Sequence, residues 1–425
     1  MSNIFGEGRA GRDVAVLTLG TVIAQAIVIL ATPLLSRIYT PADFGELAVF
    51  LAISTVAATL ITMRYETAIL AVRRNDEAIA LVWLALLLAS ISVALLVGGS
   101  FFLPNGIVKL LDGKSTSSFF SLIFTVAGVT AFISVMQNWL NRQKNYFNLA
   151  RLRVFQSFGV VGIALLLGLL TTDLSGLLWA QALAGIFTVF FYFRCARPVL
   201  TPLRPGRILR VARAQINAPK YLLPAAILDV VAMQMPVLLI SIWFGEGHAG
   251  QFSMAWRMLM LPMSVVGTAI GQVFMQRLSL AHLGAMQARR LLVRTWMLLL
   301  ALGAVPILML FFFGQPVFTF FFGKAWSEAG LMAATLSPLA LAMFLSSPTS
   351  GSFIVLGIQR YSLWFGVAAF IYRPLCIFLG FSYGDVLLGL MLWAICEVAQ
   401  VAIYQLVAWK KMKQLGENDS RGKKL

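Results

Sequence analysis

Apolar stretches of about 20 residues, the length needed to cross a hydrocarbon core, recur from one end of this chain to the other. They fall near residues 14–36, 44–63, 78–100, 117–139, 154–171, 175–193, 221–244, 252–275, 291–313, 329–352, 362–382 and 386–409. The tenth and eleventh are the least regular, because Pro338, Pro348 and Gly351 interrupt them. A transmembrane barrel would alternate apolar and polar residues over segments of roughly ten residues, whereas these runs are continuously apolar. Helices are then the only spanning solution, since no water is present in hydrocarbon to satisfy free backbone groups. With 60% hydrophobic and 12% charged residues and a mean hydropathy of +0.87, the chain is too apolar for a water-soluble surface. No polar block is large enough to form a separate soluble domain. The expected fold is all-α and polytopic, with about twelve transmembrane helices.

The net charge of +17 does not point to nucleic acid, because the basic residues are spread over short loops between spans. They alternate with topology. One side collects Arg9 and Arg12, then Arg64, Arg73 and Arg74, Arg142, Lys144, Arg151 and Arg153, the run from Arg194 to Lys220, Arg277, Arg289, Arg290, Arg294 and Arg360, and the C-terminal lysines with Arg421; the other holds Arg37, Lys109, Lys114 and Lys324. Loops rich in Lys and Arg stay in the cytoplasm, so both termini are expected there, which requires an even number of spans. The first span lacks a small-residue cleavage site and is expected to be retained. The longest basic loop divides the chain into an N-terminal lobe over 1–200, a linker over 201–220, a C-terminal lobe over 221–411 and a basic tail over 412–425. An internal echo supports two related lobes of about six helices each, the parallel-repeat plan of transporters. At an offset of 205, Leu34, Ser36, Tyr39 and Gly45 fall on Leu239, Ser241, Phe244 and Gly250.

Cys195, Cys376 and Cys396 lack metal-ligand spacing and read as packing residues. His248 and His282 stand alone in loops, without the i+3 or i+4 partner that a metal site would want. No metal or cofactor is expected.

Ionisable groups inside spans are costly in a bilayer and face a partner or an aqueous cavity. Asp229, Arg257, Arg373 and Glu397 are such groups. Arg257 shares a helical face with Ser264, Thr268 and Gly271. It either lines a cavity, where its planar guanidinium would grip phosphate oxygens, or snorkels to the interface. Arg373 lies near mid-span before Pro374, and either faces a lumen or forms an internal ion pair with Glu397 of the last span. Asp229 and Glu397 are candidates for coupling to a proton or sodium gradient, against salt bridges or amide contacts as the alternative. In the first span Thr18, Thr21, Gln25, Thr32 and Ser36 share a face that either meets sugar hydroxyls or bonds between helices. Arg64, Tyr65 and Glu66 close the second span as a gate pair or an interfacial anchor.

Two strings carry more than composition. "PLLSRIYTPADFGELAVF" (33–50) with "RYETAIL" (64–70), and the stretch 217–274 with its Gln before Pro236, its Ala-Gly pair, Pro262 and "IGQVF", resemble the oligosaccharide flippases. These are the Wzx-type branch of the multidrug/oligosaccharidyl-lipid/polysaccharide exporter superfamily. The resemblance implies a V-shaped pair of six-helix lobes that alternates between inward-open and outward-open states. It implies an undecaprenyl-pyrophosphate-linked repeat unit as substrate, for O-antigen, capsule or exopolysaccharide assembly in the bacterial inner membrane. It further implies a cationic cavity holding Arg257 and Arg373, with Arg64 and Gln25 as further contacts, and it places Arg37, Arg64 and Glu66 in the family's terminal motifs. Related lipid II flippases hold a cation among the seventh, eleventh and twelfth spans, where Asp229, Arg373 and Glu397 lie here. The fixed charge of Arg373 is a poor neighbour for such an ion, so proton coupling or an internal ion pair stands beside sodium. Membrane lipids and the pathway's polymerase and chain-length proteins are the expected partners, with the chain working as a monomer and binding no nucleic acid.

Two other classes compete. An ion-coupled drug or small-solute exporter would differ in these strings, and a major-facilitator carrier would show a Gly-rich Asp-Arg motif where this chain reads "RYETAILAVRRNDEA". A glycan polymerase or ligase would need a large external loop with an acid-base cluster, and the segment around Phe101 to Ser118 is short. The chain is therefore expected to be no enzyme.

Overall fold

The computed structural model describes residues 7–101, 117–171, 175–195, 205–280, 285–349 and 359–422. Every regular element among them is helical. In chain order these are α1 (Glu7–Ile38), α2 (Pro41–Ile61), α3 (Tyr65–Ala71), α4 (Asn75–Ser100), α5 (Ser117–Arg142), α6 (Tyr146–Thr171), α7 (Ser175–Cys195) and the short basic α8 (Pro205–Ala214). A π-type turn over Ala218–Leu222 leads into α9 (Leu223–Phe244), followed by α10 (Glu246–Leu280), α11 (Ala285–Phe322), α12 (Ser327–Ser346), α13 (Gln359–Ser382) and α14 (Val386–Gly422). Eleven helices among the described residues are long and apolar enough to cross a membrane. The remaining expected span, 252–275, lies inside α10, several of whose side chains fall outside the described residues. Each long apolar run is thus a helix, and the chain is a multi-pass membrane protein. Residues 350–352 of the expected tenth span, including Gly351, lie outside the described residues, as do His282 and parts of the linker and tail.

The chain divides into two compact units, Met1–Tyr39 with Glu46–Gln234, and Thr40–Gly45 with Met235–Leu425. In the first, α1 lies along α6 and α6 along α7. Close approach needs small residues where no hydrophobic force draws helices together in lipid: a Cβ on Gly20 would stand 2.4 Å from the Ala150 Cβ. A core of Ile69, Leu81, Met136, Trp139, Leu149 and Tyr192 fills the space among α3 to α7. In the second unit α11 packs on α12, where a Cβ on Gly314 would meet the Gly330 carbonyl oxygen at 2.4 Å. Pro316 removes a hydrogen bond from α11 and its ring crowds the preceding turn, and the bend appears at Phe313, with φ −122° and ψ 18°.

Replacing Gly20 by Ile forces α1 away from α6 and is expected to destabilise the first unit by about 1–3 kcal/mol, read as a lower thermal midpoint in detergent. Gly98, with nothing within 4 Å of an added Cβ, tolerates Ala with an unchanged midpoint.

Candidate functional site

In the second unit, α13 and α14 form an antiparallel hairpin. Gly384 takes φ +70° in the turn, and the Asp385 carboxylate accepts the backbone N–H groups of Leu387 and Leu388 at 2.8 and 3.3 Å, capping α14. Beyond the turn, a Cβ on Gly380 would stand 2.6 Å from the Gly389 Cα, so the two backbones touch. About two turns further along each helix, this close approach brings Arg373 opposite Glu397. The guanidinium donates through Nη2 to Oε1 at 2.7 Å and through Nε to Oε2 at 3.0 Å. Oε2 also accepts the Tyr372 hydroxyl at 2.7 Å and the Trp393 indole N–H at 2.9 Å. Glu397 is 3% exposed. The internal ion pair is therefore the arrangement present, in bidentate geometry and reinforced by two neutral donors, which is what a charge removed from water requires.

Trp393 continues the cluster into α10. Its ring stacks on Trp256 at 5.4 Å, and Trp256 stacks on Phe252 at 5.9 Å. One residue on is Arg257, half-buried and without a hydrogen bond or ion pair among the described residues. The aromatic wall thus separates a neutralised arginine from one that has no partner among the described residues. Ser264 and Thr268, expected on the Arg257 face, have side chains outside the described residues.

The first unit holds a second polar cluster. α2 ends at Ile61, and the chain turns through Met63 (φ 49°) and Arg64 (φ 61°) before α3 begins. Two successive non-glycine residues in the left-handed region are strained. The turn sets Glu66, 3% exposed, against Arg64 at 3.4 Å. Glu66 Oε2 and Arg64 Nε are both buried with no hydrogen-bond partner among the described residues. The Tyr65 hydroxyl donates to the Ala212 carbonyl of α8 at 3.3 Å. At the other end of α3, Arg142 donates to the carbonyls of Ile69 and Val72 at 2.9 and 2.6 Å and to Arg73 at 3.2 Å, a cation on a helix C-terminus.

On α1, the Thr21, Thr32 and Ser36 hydroxyls donate to carbonyls of their own helix. Thr21 also accepts Arg153 Nη1 from α6 at 2.8 Å. Gln25, half-buried, has no hydrogen bond among the described residues. Arg153, at the edge of an apolar run, reads from the sequence as a loop cation; it lies inside α6, and its pairing across 132 residues is what sets it apart. Asp229 and Arg37 are exposed and make no ion pair among the described residues. The structure therefore joins Arg373 with Glu397 and Arg64 with Glu66, and leaves Asp229, Arg257, Gln25 and Arg37 outside these pairs.

A family model described as polysaccharide biosynthesis protein matches residues 34–330. Among curated proteins, the succinoglycan biosynthesis transport protein ExoT of Rhizobium meliloti (strain 1021) is 25% identical over 327 residues, which is 75% of this chain and 63% of that protein. The chain thus spans less than two thirds of that relative's length. Among solved structures, the lipid II flippase MurJ in an inward closed conformation superposes with a TM-score of 0.72 at 12% identity, covering 95% of this chain and 90% of MurJ. An inward-facing multidrug resistance MATE family transporter of the MOP superfamily gives a TM-score of 0.63 at 18% identity, covering 95% and 99%. These likenesses show the two-lobed fold of that superfamily.

Changing Glu397 to Gln strands Arg373 without its counter-charge, and removing one partner of a buried pair costs about 3–5 kcal/mol. The single variant is expected to lose thermal stability in detergent, while the double change R373M/E397L recovers most of it.

Proposed function

Because the chain belongs to the polysaccharide biosynthesis protein family, we propose that it carries lipid-linked oligosaccharides from the cytoplasmic to the outer leaflet of the bacterial inner membrane. The single observation that supports this most is Arg257, a guanidinium with no counter-charge among the described residues, in a helix expected to span the bilayer. Such a charge is expensive in hydrocarbon unless a ligand or water meets it, and the diphosphate of a polyprenyl-linked sugar supplies the matching anion. The name of the R. meliloti relative, a succinoglycan biosynthesis transport protein, supports a precursor of a polysaccharide as the cargo. Transport, not catalysis, is the activity proposed.

Within this reading the residues take separate roles. Arg257 binds the diphosphate in the second unit; Gln25 and Arg64 are the polar candidates for cargo contact that the first unit offers on its own. Glu397 holds Arg373 in place, since its oxygens already accept from Arg373, Tyr372 and Trp393. Asp229, exposed and without an ion pair among the described residues, is the better candidate for coupling to a proton or sodium gradient. Arg64 and Glu66 form a gate at the strained turn, with Arg37 in the neighbouring motif. Both termini lie in the cytoplasm, on the side of the pathway's glycosyl transfer, and the polymerase and chain-length proteins receive the product on the other.

Arg257→Ala is expected to abolish surface polysaccharide while the protein stays in the membrane at wild-type level, with Arg257→Lys retaining part of it. Wild-type polysaccharide in Arg257→Ala refutes the assigned role. Asp229→Asn is expected to remove the dependence of uptake on an imposed ion gradient in vesicles; an unchanged dependence makes Asp229 structural.

A further inference from the structure

A second concentration of cationic side chains lies away from the clusters above. Where the C-terminal part of α10 meets the N-terminal part of α11, a groove of about 630 Å³ is lined by Ile270, Val273, Arg277, Arg290, Arg294 and Leu298. All three arginines are exposed. The sequence contains no Asp or Glu between Glu246 and Glu328, so neither α11 nor the adjoining end of α10 offers a carboxylate. Among the described residues none of the three makes an ion pair, and Arg290 has only the Met286 sulfur, at 3.3 Å. The adjacent Arg289 is diverted: it stacks over the Trp409 ring at 4.6 Å and donates to its carbonyl at 3.3 Å. A preference for basic residues on the cytoplasmic side accounts for the presence of these arginines near a span end. It does not account for three of them converging on one groove.

The groove has an apolar continuation. Arg290, Arg294, Leu298, Leu302, Val305 and Met309 follow at helical spacing on one face of α11, and the four apolar residues are exposed. From Arg294 to Met309 the face runs roughly 22 Å at 1.5 Å per residue, more than the roughly 15 Å depth of one leaflet. Cations at the head of a leaflet-long apolar stripe match an amphiphile with a phosphate headgroup. The groove holds little to read a sugar: of its polar residues, Thr295 spends its hydroxyl on the Leu291 carbonyl at 2.8 Å, leaving Gln287.

We propose that Arg277, Arg290 and Arg294 form a binding site for the phosphate of an anionic phospholipid of the cytoplasmic leaflet, with an acyl chain lying along the exposed face of α11. Guanidinium groups pair with phosphate oxygens through two parallel hydrogen bonds. The site is separate from Arg257 and does not depend on the cargo.

The test uses the full chain in phosphatidylcholine nanodiscs, with phosphatidylglycerol titrated in and bound lipid counted by native mass spectrometry after mild delipidation. The wild type is expected to retain phosphatidylglycerol over phosphatidylcholine, and the double variant R290Q/R294Q to hold it at least about tenfold more weakly. R290K/R294K should keep most of the binding, and K144Q in the first unit all of it. Inorganic diphosphate at the same concentration should not displace the lipid. Equal retention by R290Q/R294Q overturns the proposal. So does a wild type with no preference for phosphatidylglycerol, a measurement that needs no variant to fold, or one from which undecaprenyl diphosphate displaces phosphatidylglycerol at equal concentration, which would make the groove a cargo site.

Discussion

Hydrocarbon offers no hydrogen bonds, and this one property of the solvent governs the molecule at two scales. At the scale of the backbone it forces every spanning segment to satisfy its own N–H and C=O groups, which makes the described chain helical throughout. At the scale of side chains it requires each charge within the bundle to find a counter-charge, water or a ligand. Arg373 finds the first in a carboxylate that also accepts from Tyr372 and Trp393. Arg257, beyond the Trp256 and Trp393 stack, finds none among the described residues. The contrast separates a charge that belongs to the architecture from one that is available for work, a distinction that the identity of the residue alone does not make.

The same constraint explains what was readable in the sequence. Long apolar runs translate into helices with little ambiguity, so Leu223–Phe244 and Ser327–Ser346 fall where hydropathy puts them, Pro236 and Pro338 notwithstanding. The Arg373 and Glu397 pair was one of two open alternatives, because their places in neighbouring spans were visible but not the faces they present. The Gly380 and Gly389 contact is what selects between them. Arg142 and Arg153 looked like ordinary loop cations, since their partners lie about 70 and 132 residues away and no local pattern encodes such a distance. The strained turn at Met63 and Arg64 was equally hidden: neither residue is a Gly or Asn, the types that announce a left-handed backbone.

The first unit stores polar groups differently from the second. Its α3 is fastened at the C-terminus by the three carbonyl contacts of Arg142 and through Tyr65 to α8, while its N-terminus carries two left-handed residues and two buried polar atoms with no partner among the described residues. Strain held in place by a well-anchored neighbour is the arrangement expected of a local switch. The Arg373 and Glu397 cluster, with its donors and acceptors matched, is the arrangement of a fixed point.

The hairpin of α13 and α14 is fastened at two levels, by backbone contact at Gly380 and Gly389 and by the bidentate pair about two turns away. A slide of a single residue along the axis, roughly 1.5 Å, would drive the Gly389 backbone into a bulkier neighbour and pull the guanidinium out of register with its carboxylate. Shear between these two helices is therefore closed off as a degree of freedom. The pair behaves as one stiff strut, and any displacement it takes part in is that of a rigid body.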